Sequence, residues 1–310
     1  MVNLTEADAP AGYAHPAYAE SLAEFGTPRL LRHSGGWVLE RKIPSTKAHD
    51  AMGCYPLFSC PNWSGLSADL EEIDKDLVCL SLVTDPFGVY DEGYLRVCFR
   101  ELVVPFKQHF ISCLDRPIET IVSKHHRYYA RKALNRVSVE RCDEPKAFLD
   151  DWIELYAHLT AHHGIHGIKA FSRTAFAAQL ETPGLVMFRA VCEGKTVGAH
   201  LWYKQCAVAH SHLAAVNALG YELMAAYALY WFALESFAAE VRWLNWGAGA
   251  GLDSQGADGL TTFKRGWATE TRTAYFCGRI FDHEEYQNLL TARGVLPNDY
   301  FPAYRQGEFN

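Results

Sequence analysis

The chain has 310 residues, 49% hydrophobic and 21% charged, with a formal net charge of −7; this balance supports a sizeable core, excludes a disordered chain and argues against a surface that binds polyanions everywhere. No uncharged apolar run reaches the ~18 residues of a membrane span, and the start, MVNLTEADAPAGYAHP, lacks the basic and apolar regions of a leader, so a cytoplasmic protein without membrane association is expected. Nine cysteines, at positions 54, 60, 79, 98, 113, 142, 192, 206 and 277 and with no CxxC pair, argue against a disulfide framework or a cysteine metal site and predict buried reduced thiols.

Domains of roughly 100 to 200 residues make two the expected number. From Ala17 to Gly26 the chain reads as a short helix. Arg29 to His33 and Trp37 to Lys42, flanking Ser34-Gly35-Gly36, read as a hairpin, because glycines supply the positive φ of tight turns. Leu66, Leu70, Ile73 and Leu77 fall on one helical face, and the apolar run Leu77 to Val83 predicts a buried strand that ends at Asp85-Pro86-Phe87-Gly88. Tyr94 to Val104 is a further strand candidate. Arg116-Pro117 then breaks the chain, which places a boundary near 117 to 123 and gives domains 1–120 and 121–310.

Helices are expected over Ser123 to Arg136, Pro145 to His162 and Phe171 to Leu180. The loop between the last two holds His162, His163 and His166, yet no acidic or cysteine partner stands at metal spacing, so no metal is assigned. Leu185 to Val216 contains three apolar runs with short breaks at Glu193-Gly194-Lys195 and Lys204-Gln205-Cys206, the pattern of an antiparallel meander. A turn at Asn217 to Gly220 leads into a helix from Tyr221 to Glu240. The strand Val241 to Trp246, the loop Gly247-Ala248-Gly249-Ala250-Gly251, a last strand near Arg272 to Arg279 and a helix from His283 to Ala292 follow.

Three groups of residues carry candidate chemistry. The first is basic: Lys124, His125, His126, Arg127, Arg131, Lys132 and Arg136, with no acidic residue from Ile121 to Val139. On a helix Lys124, Arg127 and Arg131 share a face at i, i+3 and i+7, a spacing that suits successive phosphates, although charge runs are also common on solvated faces. The second is the end of the meander. Alternation puts His210, His212 and Ala214 on one side, where His212 is a candidate to orient an amine or accept its proton, or else is a core histidine satisfied by a hydrogen bond. Asn217, Gly220 and Tyr221 at the next helix start are candidates for substrate binding or capping, and Asn245 and Trp246 for stacking or hydrogen bonding at a strand end. The third is Phe263-Lys264-Arg265-Gly266-Trp267. A lysine fixed between Phe263 and Trp267 would be a partly desolvated cation able to stabilise an oxyanion, the other reading being a solvated lysine on a short helix.

Three strands, a turn, a helix, a strand, a glycine-bearing loop and a final strand over roughly residues 121 to 280 resemble the core of a GNAT-type acyltransferase. The FKRGW stretch and the basic helix resemble the Fem-like branch of that superfamily. The resemblance implies an α/β (α+β) fold of tandem GNAT-like domains, a mixed central sheet flanked by helices, with residues 1–120 as the degenerate twin. It also implies transfer of an amino acid from aminoacyl-tRNA to the amine of a peptide or small metabolite, without a cofactor, membrane or DNA; one branch acts in the biosynthesis of peptidyl antibiotics. In that reading Lys264 and His212 are catalytic, and Phe263, Arg265, Trp267, Asn217, Gly220, Tyr221, Asn245 and Trp246 bind substrate. Lys124, Arg127, Arg131 and Lys132 hold the tRNA phosphates. Acetyl-CoA users of the superfamily carry an Arg/Gln-x-x-Gly-x-Gly/Ala loop, so that bare amides at a helix start hold a pyrophosphate. Here the stretch reads Asn217-Ala218-Leu219-Gly220-Tyr221-Glu222, with one glycine kept and an acid added. An acyl-CoA-dependent N-acyltransferase is the alternative, and a non-catalytic binding module a second one.

Overall fold

The computed structural model describes residues 9–73, 76–164, 171–249, 259–296 and 298–308. In chain order the helices and strands are α1 (Pro16–Ser21), β1 (Thr27–Leu30), β2 (Trp37–Lys42), β3 (His49–Gly53), α2 (Leu66–Ile73), β4 (Cys79–Val83), α3 (Glu92–Cys98) and β5 (Leu102–Cys113). There follow α4 (Ile118–Ile121), α5 (Lys124–Leu134), β6 (Ser138–Arg141), α6 (Leu149–His163), α7 (Arg173–Gln179), β7 (Leu185–Cys192), β8 (Lys195–Gln205) and β9 (Val208–Val216). The chain closes with α8 (Ala218–Leu223), α9 (Ala225–Phe237), β10 (Trp243–Asn245), α10 (Gly259–Arg265), β11 (Glu270–Ile280) and α11 (His283–Ala292).

The chain divides into two compact units, neither of which is one continuous stretch. One unit holds residues 13–106 together with the chain from Thr273 onward; the other holds 107–164 and 171–272 with the described start of the chain. In the first unit the strands run in the order β1-β2-β3-β4-β11, with β3 and β4 parallel and the other pairs antiparallel. In the second the order is β5-β10-β9-β8-β7-β6, with β9 and β10 parallel. Both are mixed sheets flanked by helices, the α/β class expected. Leu31, Trp63, Leu66, Leu70, Ile73 and Leu82 lie in the core of the first unit. The second is built around Trp202, Leu229, Phe237, Trp246 and Trp267.

The meander is as expected. Glu193 and Gly194 both take positive φ (49° and 75°), the conformation that closes a two-residue hairpin between β7 and β8. The region around Tyr94 to Val104 is corrected: residues 92–98 are helical, because Asp91 caps α3 through Tyr94 N and buries Leu95 and Cys98 at i and i+3, and the strand begins only at Leu102. The stretch expected as a turn and one helix, 217–240, is two helices, broken where Met224 adopts a left-handed conformation (φ 61°). The short strands β3 and β6 carry no signal strong enough to be read in advance.

One departure matters for the site. Trp202 pairs with Ser211 and Leu201 with Leu213, so His212 is the extra residue of a bulge in β9. Alternation breaks there. His212 stays on the side of His210, against Tyr203, while Ala214 turns to the side of His200, its pairing partner.

Candidate active site

β9 and β10 pair over three positions only, ending at Asn245↔His210. β9 continues to Val216; from Ser211 onward it has no strand partner on that side among the described residues, and the sheet opens into a notch. Ser211, half-buried, is the first residue beyond the last pair. Behind it lies His200, fully buried, with Nε2 2.8 Å from Ser211 Oγ. The imidazole stacks on Tyr230 (centroids 4.8 Å apart), whose ring stacks almost parallel on Trp246 at 4.7 Å.

Lys264 reaches this notch from α10. Its half-buried Nζ donates to Ala248 O at 2.7 Å. Gly247, with φ at 75°, leaves room for it: a Cβ there would stand 3.1 Å from Nζ. Burial first, and the Lys264 charge second, hold His200 well below its ordinary pKa of 6.5, so a neutral imidazole and a fixed ammonium face the same opening.

The rest of the FKRGW stretch anchors α10 to the basic helix. Ser123 caps α5, accepting from His126 N, and its own N–H donates to Gly266 O at 3.0 Å. The Phe263 carbonyl can only accept, so His126 Nε2 carries the proton of their 2.9 Å bond. Nδ1 then accepts from Ser123 Oγ, also at 2.9 Å. Burial, opposed by this bond and helped by His125, lowers the His126 pKa below 6.5. Gly266 is required here, since a Cβ would lie 2.1 Å from the His126 ring. Trp267 meets that ring edge-on at 5.1 Å, and Phe263 packs on Tyr227 and Tyr230. The basic helix and the FKRGW stretch, joined by residues 137 positions apart in the sequence, are thus one assembly.

Along α5, Lys124, Arg131 and Lys132 are exposed, and half-buried Arg127 donates to Glu119 O at 2.8 Å. Arg136 donates to Glu222 O. Among the described residues none of these five cations pairs with a carboxylate, which leaves a positive face on an acidic protein.

Other expected site residues serve the frame. His212 is a core histidine: Nε2 lies 3.3 Å from Gln179 Oε1, and burial pushes its pKa down to about 3. It sits on the face of β9 away from Ser211, against Tyr203. Trp246 and Trp267 are fully buried and Asn245 nearly so. Trp246 Nε1 donates to Ser112 Oγ, and Ser112 donates to Trp267 O. Asn245 Oδ1 accepts from Gly247 N and from His109 Nδ1, while its Nδ2 donates to His210 Nδ1. Arg265 is exposed and Phe263 half-buried at the notch side of α10. Asn217 caps α8 by accepting from Gly220 N at 2.8 Å, and Gly220 lets α8 close on β8, where a Cβ would stand 2.1 Å from Val197 O. Tyr221 is exposed. These three lie at the far end of β9, six residues or ~20 Å from Ser211. His166 and the glycine-rich stretch from Ala250 lie outside the described residues, as do the side chains of His162 and His163.

Residues 122–265 match the acetyltransferase (GNAT) domain family. No curated protein matches the chain in sequence. Beyond that stretch, the fold is similar to that of FemX, with a TM-score of 0.68 at 13% identity over 91% of this chain and 96% of that one. It is also similar to the C-terminal domain of a putative lysylphosphatidylglycerol synthetase from Agrobacterium fabrum (0.61, 11%, 90% and 91%). L-PGS from Bacillus licheniformis gives 0.54 at 14% over 92% and 98%. At such identities the likeness is one of fold. His200, Ser211 and Tyr230 escape sequence reading, because Ser211 and His200 meet only through the pairing of β8 with β9, and Tyr230 only through the packing of α9 on that sheet.

Proposed function

We propose that the chain is an aminoacyltransferase of the Fem-like kind, which moves an amino acid from aminoacyl-tRNA to the amine of a peptide or small metabolite by direct aminolysis. One observation carries this reading: the FKRGW stretch is docked through His126 on the unneutralised cationic helix α5, so that the Lys264 ammonium stands at the β9–β10 notch next to a surface suited to phosphates. The start of α8 argues the same way. Gly220 N, an amide that a pyrophosphate would use, is taken by Asn217, and Glu222 adds negative charge nearby, which favours tRNA over acyl-CoA as donor and leaves no cofactor in the reaction.

The amine nitrogen attacks the ester carbonyl of the aminoacyl group, negative charge gathers on the carbonyl oxygen, and the ribose oxygen leaves with a proton. A fixed cation beside that oxygen stabilises the developing charge by roughly 3 kcal/mol, the role assigned to Lys264. Holding both substrates in one notch supplies the remaining acceleration through proximity, and no covalent enzyme intermediate is required.

The test is incubation with tRNA charged with radiolabelled amino acids and a panel of amines and peptides, acetyl-CoA running in parallel. Labelled amide from charged tRNA is the expected result. Turnover of acetyl-CoA with none from any charged tRNA would assign the acyl-CoA reaction instead.

A further inference from the structure

The reaction leaves a proton to be moved, and the residue read in advance for that task, His212, is buried on the other side of β9. At the notch itself the hydroxyl placed to handle it is that of Ser211. Its backbone is the first of β9 beyond the last pair with β10, its pairing with Trp202 puts it on the side of the sheet that carries His200, and of Ser211, His200 and Tyr230 it alone is partly open to solvent. Lys264 and Ser211 converge on this opening through shared neighbours. The Lys264 charge acts on His200, which holds Ser211; Tyr230, which stacks on His200, packs on Phe263 and Trp246, the residues next to Lys264 and Gly247.

We infer that Ser211 is a catalytic proton shuttle, its Oγ taking one proton from the attacking amine while its own proton passes to the departing ribose oxygen. The inference rests on the aminoacyl-transfer reading above. The balance closes without another reactant: a C–N bond forms, the C–O ester bond breaks, the neutral amine loses one proton, the leaving oxygen gains one, and the serine is regenerated. His200 and Tyr230 are positioning residues. A histidine kept neutral by burial and a neighbouring ammonium is a poor place to store a proton, but its Nε2 can fix the Oγ so that the hydroxyl points along the reaction coordinate. His200 Nδ1 is buried with no hydrogen-bond partner among the described residues. A buried polar atom left in this way is a cost that cores normally avoid, and it is tolerable here on the side of the ring that shares the notch with a positive charge.

The experiment compares the full chain with Ser211→Ala and Ser211→Thr in single-turnover transfer from charged tRNA, with equilibrium binding of donor measured separately and thermal melting as the control for folding. Ser211→Ala is expected to slow the transfer step on the order of 10²-fold, with donor affinity within about two-fold of the parent. Ser211→Thr, which keeps a hydroxyl, is expected to restore most of the rate even if the alanine variant folds poorly. Equal single-turnover rates for the parent and Ser211→Ala would overturn the shuttle while leaving aminoacyl transfer intact. A threonine variant that melts like the parent yet is as slow as a dead enzyme would overturn it too. Absence of transfer by the parent from every charged tRNA would overturn both the shuttle and the reading beneath it.

Discussion

The ammonium of half-buried Lys264 is held by the carbonyl of Ala248, so in the proposed reaction its charge would need little reorganisation to stabilise an oxyanion beside it. Lys264→Ala is therefore expected to lower kcat on the order of 10² to 10³-fold, with little change in donor affinity and an unchanged melting curve. A fall in affinity with kcat preserved would make it a binding residue instead. A second prediction belongs to His212, whose pKa is about 3 in the folded chain against 6.5 when unfolded. Between those values the unfolded chain binds more protons, so the stability from the buried neutral ring is fully present above pH 6.5 and is lost as pH falls toward 3, by roughly 1.4 kcal/mol per pH unit. Urea midpoints from pH 7 to pH 4 measure it, and His212→Phe should flatten the profile by that amount, His200 continuing to contribute in the same direction. The position of Lys264 beside Phe263 and Trp267 was legible in its motif, and its role is a proposal. The core role of His212 was one of two readings, and burial decides between them; a pattern of alternating residues says which side a histidine faces, not how deep that side lies.

At the scale of elements, α5 combines two functions on two faces. His126, Ala130 and Ala133 are buried against α9 and α10, and Lys124, Arg131 and Lys132 face outward. Periodicity made that division readable, since the apolar and basic positions repeat at helical spacing. What it did not show was the docking of α10, because His126 and Phe263 meet only through the tertiary fold. The outward face tests the tRNA reading. Arg131→Glu with Lys132→Glu should weaken binding of charged tRNA several-fold or more at low salt and reduce the slope of log affinity against log salt by about 1.5 to 2, one counterion's worth for each phosphate no longer neutralised. Neither residue supports packing, so the helix should persist, with a penalty on the order of 1 kcal/mol from acids placed in its last turn. Binding that ignores both salt and these charges would remove tRNA from the α5 surface. The reading of 92–98 as a strand failed for a local reason: the apolar residues Leu95 and Cys98 fit helical spacing, and the cap at Asp91 selects it.

At the scale of the whole molecule, chain order and compactness part company at β5 and after β11. The Pro117 break is real, since α4 starts there, yet the sheet that carries the notch takes Lys107–Cys113 from before it. Those residues pair with β10 at three positions, and Ser112 ties Trp246 to Trp267. The segment from Thr273 belongs to the other unit, where β11 pairs with β4 and Arg305 neutralises Asp50, both buried. A long-range register of this kind leaves no trace in local propensity, which is why a cut at 120 looks sensible in the sequence. A fragment of residues 121–310 should therefore fail to fold: β10 would lose a strand partner, and Arg305 would keep Glu308 but lose Asp50, a loss of up to about 3–5 kcal/mol where a buried pair is broken. Arg305→Met in the full chain isolates the second effect and should lower the melting temperature by several degrees, more than the double change Asp50→Leu with Arg305→Met, which removes both charges at once. A soluble 121–310 fragment with a cooperative melting transition and intact transfer would show that the boundary at 120, and not the division by compactness, describes the unit that folds and acts.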